Sequence, residues 1–178
     1  YNGACMAIVA DIDRDGDNDV ASVAYNAGSV DWFENDGAQS FTIHNINSGI
    51  TGARDVKALD FDRDGDIDIL ATSFSNSRVY WFENMGSYFS SHILATTSGD
   101  TCNIFPMDLD LDGDYDVVVS TNATYNLVWL ENDGSMSFTQ YIIDNTMNTP
   151  IGVAAGDLDN DGDNDIAVAA SRGNELAW

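Results

Sequence analysis

Asp60-Phe61-Asp62-Arg63-Asp64-Gly65-Asp66-Ile67-Asp68, or DFDRDGDID, decides how this chain is read, because it occurs four times in one register. DIDRDGDND begins at Asp11, DLDLDGDYD at Asp108 and DLDNDGDND at Asp157, giving spacings of 49, 48 and 49 residues. A tryptophan follows 21 residues after each first Asp: Trp32, Trp81 and Trp129 inside VDWFEN, VYWFEN and LVWLEN, and Trp178 closing ELAW. A fixed period in this range signals stacked units rather than one irregular domain. The four units are 1–48, 49–97, 98–146 and 147–178, the last incomplete, in a single repeat array over 1–178.

Each unit reads as four short strands. In the second these are Asp55–Leu59, Ile67–Ala71 after the Asp loop, Arg78–Glu83 and Phe89–Leu94, with turn chemistry such as Asn35-Asp36-Gly37 and Asn132-Asp133-Gly134 closing the equivalent hairpins of other units. No segment sustains a 3.6-residue apolar period, so helices are not expected. Strands such as Val117–Val119 and Val30–Phe33 carry bulk on both faces, which suits sheets sandwiched between sheets. The fold class expected is therefore all-β: β-propeller blades, each a four-stranded antiparallel unit. A β-sandwich of the same strands is the competing architecture, but it does not require a strict repeat.

The loop chemistry follows from its spacing. In D-x-D-x-D-G-x-x-D, positions 1, 3 and 5 converge because the loop curls, and Gly at position 6 permits the sharp turn. Side-chain ligands in the first loop are assigned as Asp11, Asp13, Asp15 and Asp19, with Asp17 offering its backbone carbonyl. The equivalent sets are Asp60, Asp62, Asp64, Asp66 and Asp68, then Asp108, Asp110, Asp112, Asp114 and Asp116, then Asp157, Asp159, Asp161, Asp163 and Asp165. Hard carboxylate oxygens select Ca²⁺, one ion per repeat and four in all; zinc would want Cys or His, and Mg²⁺ rarely accepts an all-protein cage. An EF-hand would need a Glu at position 12 between helices, whereas Ser22, Ala71, Val119 and Val168 stand there inside strands. A solvated acidic turn is the plain alternative, against which four copies of one ligand spacing weigh heavily.

The charge agrees. Thirty acidic residues against six basic ones give −24, and twenty of the thirty are the loop aspartates. Four divalent ions would bring −24 to −16, so most of the charge serves to hold metal. Nucleic acid and anionic lipid would be repelled. No apolar run approaches the roughly 20 residues of a membrane span. With no Met or leader-like segment at Tyr1, the numbering is expected to start inside a processed or trimmed chain.

The D-x-D-x-D-G-D-x-D loops, each followed by an apolar strand and, in the complete units, by W-F-E-N or W-L-E-N, resemble the FG-GAP and VCBS repeats of integrin-alpha-like β-propellers, across all four units. The resemblance implies blades around an axis, a calcium loop joining the first two strands of each, secreted or cell-surface location, and typically seven blades. Because the sequence stops within the third strand of its fourth unit, further blades or another copy of the chain are expected at the open ends.

Other residues are assigned structural roles. His44 and His92 share one place in the fourth strand, taken by Tyr141 in the third unit, and the tryptophans are expected to pack between blades. Cys5 and Cys102, each six residues before a loop, are expected as free or buried thiols. Asn122-Ala123-Thr124 is a lone glycosylation sequon in an expected surface loop. No nucleophile-and-base constellation stands out, so the expected function is non-catalytic: an extracellular calcium-stabilised module for adhesion, ligand binding or assembly, with a protein or carbohydrate ligand. The alternatives are a subunit of an extracellular fibre or surface layer whose chains complete each other's blades, and the non-catalytic propeller part of a larger secreted enzyme.

Overall fold

The computed structural model describes residues 2–124 and 126–178; Tyr1 and Tyr125 lie outside the described residues. These form fifteen strands and no helix, so none of them makes a helix long and apolar enough to cross a membrane. The strands lie in four separate antiparallel, blade-like sheets, each ordered by simple meander, and the chain divides into two compact units, Tyr1–Thr96 and Thr97–Trp178.

The first unit holds two four-stranded sheets. One is β1 (Ala4–Ala10), β2 (Asp19–Ala24), β3 (Ser29–Asn35) and β4 (Phe41–Asn47); the other is β5 (Ala53–Leu59), β6 (Asp68–Ser73), β7 (Arg78–Asn84) and β8 (Phe89–Thr96). The second unit holds β9 (Thr101–Met107), β10 (Asp116–Thr121), β11 (Leu127–Asn132) and β12 (Phe138–Asp144), then the three-stranded sheet β13 (Pro150–Gly156), β14 (Asp165–Ala170) and β15 (Glu175–Ala177). Four separate sheets, one per repeat, exclude the sandwich.

Burial explains the apolar runs. Every residue of β6 and of β10 is buried, whereas the fourth strands β8 and β12 alternate or lie exposed. In the first unit Val23, Val30, Ile50, Val56, Ile69 and Phe82 meet in one core, with Trp32, Ile46 and Phe89 packed against it. The second unit centres on Val118, Leu127, Val153 and Val168. Each fully buried aliphatic or aromatic side chain contributes about 1.5–3 kcal/mol of transfer free energy.

In the first unit the Asp loops are anchored by the residue at loop position 2. Ile12 and Phe61 are each only 1% exposed, and Phe61 meets Trp81 edge-on at 5.9 Å. Two conformational constraints then shape each turn. Gly16, Gly65, Gly113 and Gly162 sit at φ between 97° and 105°, which side chains resist. Position 4, held by Arg14, Arg63, Leu111 and Asn160, is left-handed as well, at φ of 61° to 64°.

Phe82→Ala, at a fully buried position stacked against Tyr80, is expected to cost about 3–5 kcal/mol. Chemical denaturation at fixed calcium measures it.

Candidate metal centres

Each loop joins the first two strands of its sheet, where the sequence places it. Asp11, Asp13 and Asp15 bring one carboxylate oxygen each to within 4.8 Å of one another, as do Asp60, Asp62 and Asp64, and Asp108, Asp110 and Asp112. In the fourth loop the convergent set is Asp157, Asp159 and Asp165, with position 9 in place of position 5.

Local hydrogen bonds set this up. The amide of Asp15 donates to Asp13 Oδ1, Asp17 to Asp15 Oδ1 and Gly16 to Asp11 Oδ2, at 2.9–3.2 Å. The same ladder recurs at Asp64, Asp66, Asp112, Gly113 and Asp114. At positions 3 and 5 of these loops, and at position 1 in Asp11 and Asp108, one carboxylate oxygen braces the turn. The other oxygen at position 1 is then buried with no hydrogen-bond partner in Asp11, Asp60 and Asp108 alike.

A buried, unpartnered carboxylate oxygen is costly, and three at one repeat position mark where a cation belongs. The donor set, all carboxylate, fits a hard divalent ion and no soft one. The electrostatics point the same way. Burial and neighbouring carboxylates push Asp13, Asp62 and Asp114 above the usual aspartate range, and Asp68 rises to about 6 chiefly through burial.

Position 9 does more than the sequence predicts. Asp19 accepts the Ile12 amide at 3.1 Å on one oxygen and the Asn35 amide at 2.8 Å on the other. Asp68 takes Phe61 and Asn84, and Asp116 takes Leu109 and Asn132, in the same way. In the first three loops this carboxylate ties the loop to the end of the third strand and stands outside the convergent triad. The buried indole N–H groups of Trp81 and Trp129, which lack a partner of good geometry, lie close enough to Asp68 and Asp116 to draw their pKa values down against the larger effect of burial.

Position 7 also acquires side-chain roles. Asp66 pairs with Arg14 of the preceding loop, and one oxygen of the half-buried Asp114 is enclosed without a hydrogen-bond partner. Gly37, in the hairpin turn beside the Asp17 carboxylate, sits at φ 69°, a left-handed conformation that side chains resist.

The residue that sequence reasoning missed is the Asn ending each W-F-E-N or W-L-E-N. The side-chain amide of Asn84 donates to the Ile67 carbonyl of its own loop and to the Ile12 carbonyl of the preceding one, at 3.1 and 3.2 Å. Asn35 and Asn132 make the own-loop bond. Their recurrence after every Trp-x-Glu was the available signal.

His44 and His92 stack on Trp32 and Trp81 at 4.6 Å and pair with Glu34 and Glu83 at 2.5 and 2.9 Å, while Tyr141 stacks on Trp129 at 5.3 Å. This is a repeated packing device. Trp81 is buried and Trp32 half-buried, whereas Trp178 is 72% exposed. Cys5 is exposed and Cys102 buried, both as free thiols, and Asn122 lies in the bend after β10.

With this geometry in place, the model of the FG-GAP-like repeat matches residues 11–71, 60–119 and 108–168. Among solved structures the chain is similar to a lectin of Agrocybe aegerita, described as specifically recognising non-reducing terminal N-acetylglucosamine. The TM-score is 0.63 at 18% identity, over 92% of this chain and 46% of that one. It is also similar to BBS1N, solved in complex with ARL6DN and soaked with lead, with a TM-score of 0.64 at 15% identity over 100% of this chain and 56% of that one. The chain thus spans about half the length of these structures, and at such identity the likeness is one of fold. No curated protein matches its sequence.

Asp68 holds its proton more tightly folded, with a pKa of about 6 against 3.8, so between those values the metal-free fold carries extra bound proton. Its contribution to stability therefore falls as pH rises through that window. Metal-stripped protein is expected to melt higher at about pH 5 than at about pH 7. In calcium the order reverses, because ligand carboxylates must be deprotonated. Thermal melts in both conditions measure the crossing.

Proposed function

This chain belongs to the FG-GAP-like repeat family, and from that premise we propose that it is a non-catalytic, calcium-stabilised β-propeller module that binds a ligand or partner outside the cell. The observation that carries the reading is the buried, unpartnered oxygen repeated in Asp11, Asp60 and Asp108. A divalent ion there supplies positive charge and nothing redox-active. Asp11, Asp13 and Asp15, their equivalents in the second and third loops, and Asp157, Asp159 and Asp165 in the fourth hold it, while in the first three loops position 9 also fixes the loop ends.

Calcium suits these sites better than magnesium because several carboxylates converge without a tight octahedral frame. Extracellular calcium is abundant enough for modules with dissociation constants of about 10⁻⁴ to 10⁻³ M, which supports action outside the cell. The histidines, committed to Glu34, Glu83 and the indole faces, support a non-catalytic role. Recognition as the task gains support from two neighbours in fold, one that recognises a sugar and one solved in a protein complex.

At calcium about 100-fold above its dissociation constant, each occupied site is expected to add about 2.7 kcal/mol. Melting temperature should rise by several degrees per site and lose that gain on chelation. Asp62→Ala should remove most of one site's share, whereas Gln39→Asn, exposed and left-handed, should leave it. Equal melting temperatures with calcium and with chelator would end the proposal.

A further inference from the structure

The first unit contains a cavity of about 430 Å³, lined by residues of both its sheets and sharing only Asp13 with the first carboxylate triad. That volume lies within the roughly 300–1,000 Å³ of small-ligand sites. One wall is aromatic: Trp32 carries His44 stacked on its face, and Phe89 stands edge-on to the indole at 6.3 Å. The rim is Asn45, Ser87 and Tyr88, the last 61% exposed. Neither the Ser87 hydroxyl nor the Tyr88 phenol has a hydrogen-bond partner among the described residues.

Charge decides what such a cavity takes. Two carboxylates line it, Asp13 and Asp66, and the chain is strongly acidic, so anions are excluded. Both carboxylates are already committed, Asp13 to the first metal triad and Asp66 to Arg14. Neither carboxylate is thus left to form a direct ion pair with a cationic ligand. What remains is an aromatic wall with uncharged hydroxyl and amide groups around it, which suits a ring with a C–H face and a hydroxyl rim.

We infer that this cavity binds one neutral sugar residue, its C–H face toward the Trp32, His44 and Phe89 wall and its hydroxyls toward Asn45, Ser87 and Tyr88. The inference rests on the binding-module reading above and names its ligand class. Beside Trp129 the fourth strand of its sheet is more apolar than the one beside Trp32. Around Trp129 the positions matching His44, Asn45 and Ile46 are Tyr141, Ile142 and Ile143, and the cavity beside it is walled by Leu109, Met147 and Ile166.

The test titrates calcium-loaded protein with millimolar methyl glycosides of glucose, galactose, mannose and their 2-acetamido forms, and follows the indole signals by NMR. A saturable shift at Trp32 with none at Trp129 is expected. Tyr88→Ala, which removes part of the rim, and Ser87→Phe, which fills it, should each weaken binding by about tenfold or more. Both positions are exposed, so melting temperature and its calcium response should stay as in the parent. If one variant fails to fold, the other and direct sugar-to-Trp32 magnetisation transfer decide. No shift with any glycoside, a shift with choline in their place, or unweakened binding in the variants would overturn the inference. A missing calcium response would instead count against the proposed function, since Trp32 reports the sugar separately.

Discussion

Every other feature of this protein depends on carboxylate oxygens held out of water without a proton donor to meet them. The aspartates of each loop spend one oxygen on backbone amides two to five residues away, which is what curls the loop. That leaves the opposing oxygens gathered at one point, where their mutual repulsion is set against the packing of Ile12 or Phe61 below them. The sheets supply the anchoring and the loops supply the demand for charge. Neither part is explicable alone.

Much of this was legible in the residues. The period of 48 to 49, the alternate aspartates and the turn glycines specify four all-β units with an acidic loop in each, because both spacing and backbone conformation leave few options. What could not be read was the division of labour within a loop. Position 9 reads as a fourth ligand on the sequence, and beyond that reading Asp19, Asp68 and Asp116 receive two amides each, from residues seven positions before and sixteen after. A partner sixteen residues away depends on strand register, which no ligand spacing encodes. The pairing of Arg14 with Asp66 is hidden for the same reason, since it joins residues 52 apart.

The repeats also differ where they are not constrained. His44, His92 and Tyr141 occupy one structural place and each packs on the tryptophan of its own repeat, so any flat side chain that reaches the adjacent glutamate serves. Around this fixed stack the neighbouring residues are free to change from Asn45 to Ile142. Variation of this kind gives one scaffold different surfaces without disturbing its cores.

The Asn84 amide, shared between its own loop and the carbonyl of Ile12, draws the boundaries of the repeat in an unexpected place. The Asn164 amide, bonded to the Asp108 carbonyl at 2.7 Å, repeats the arrangement in the second unit through a different residue. A single sheet excised for transplantation would leave a donor or an acceptor behind in its former neighbour. The workable piece for recombination runs from one acidic turn through the next, straddling two sheets, so duplication and engineering alike should cut within sheets and not between them.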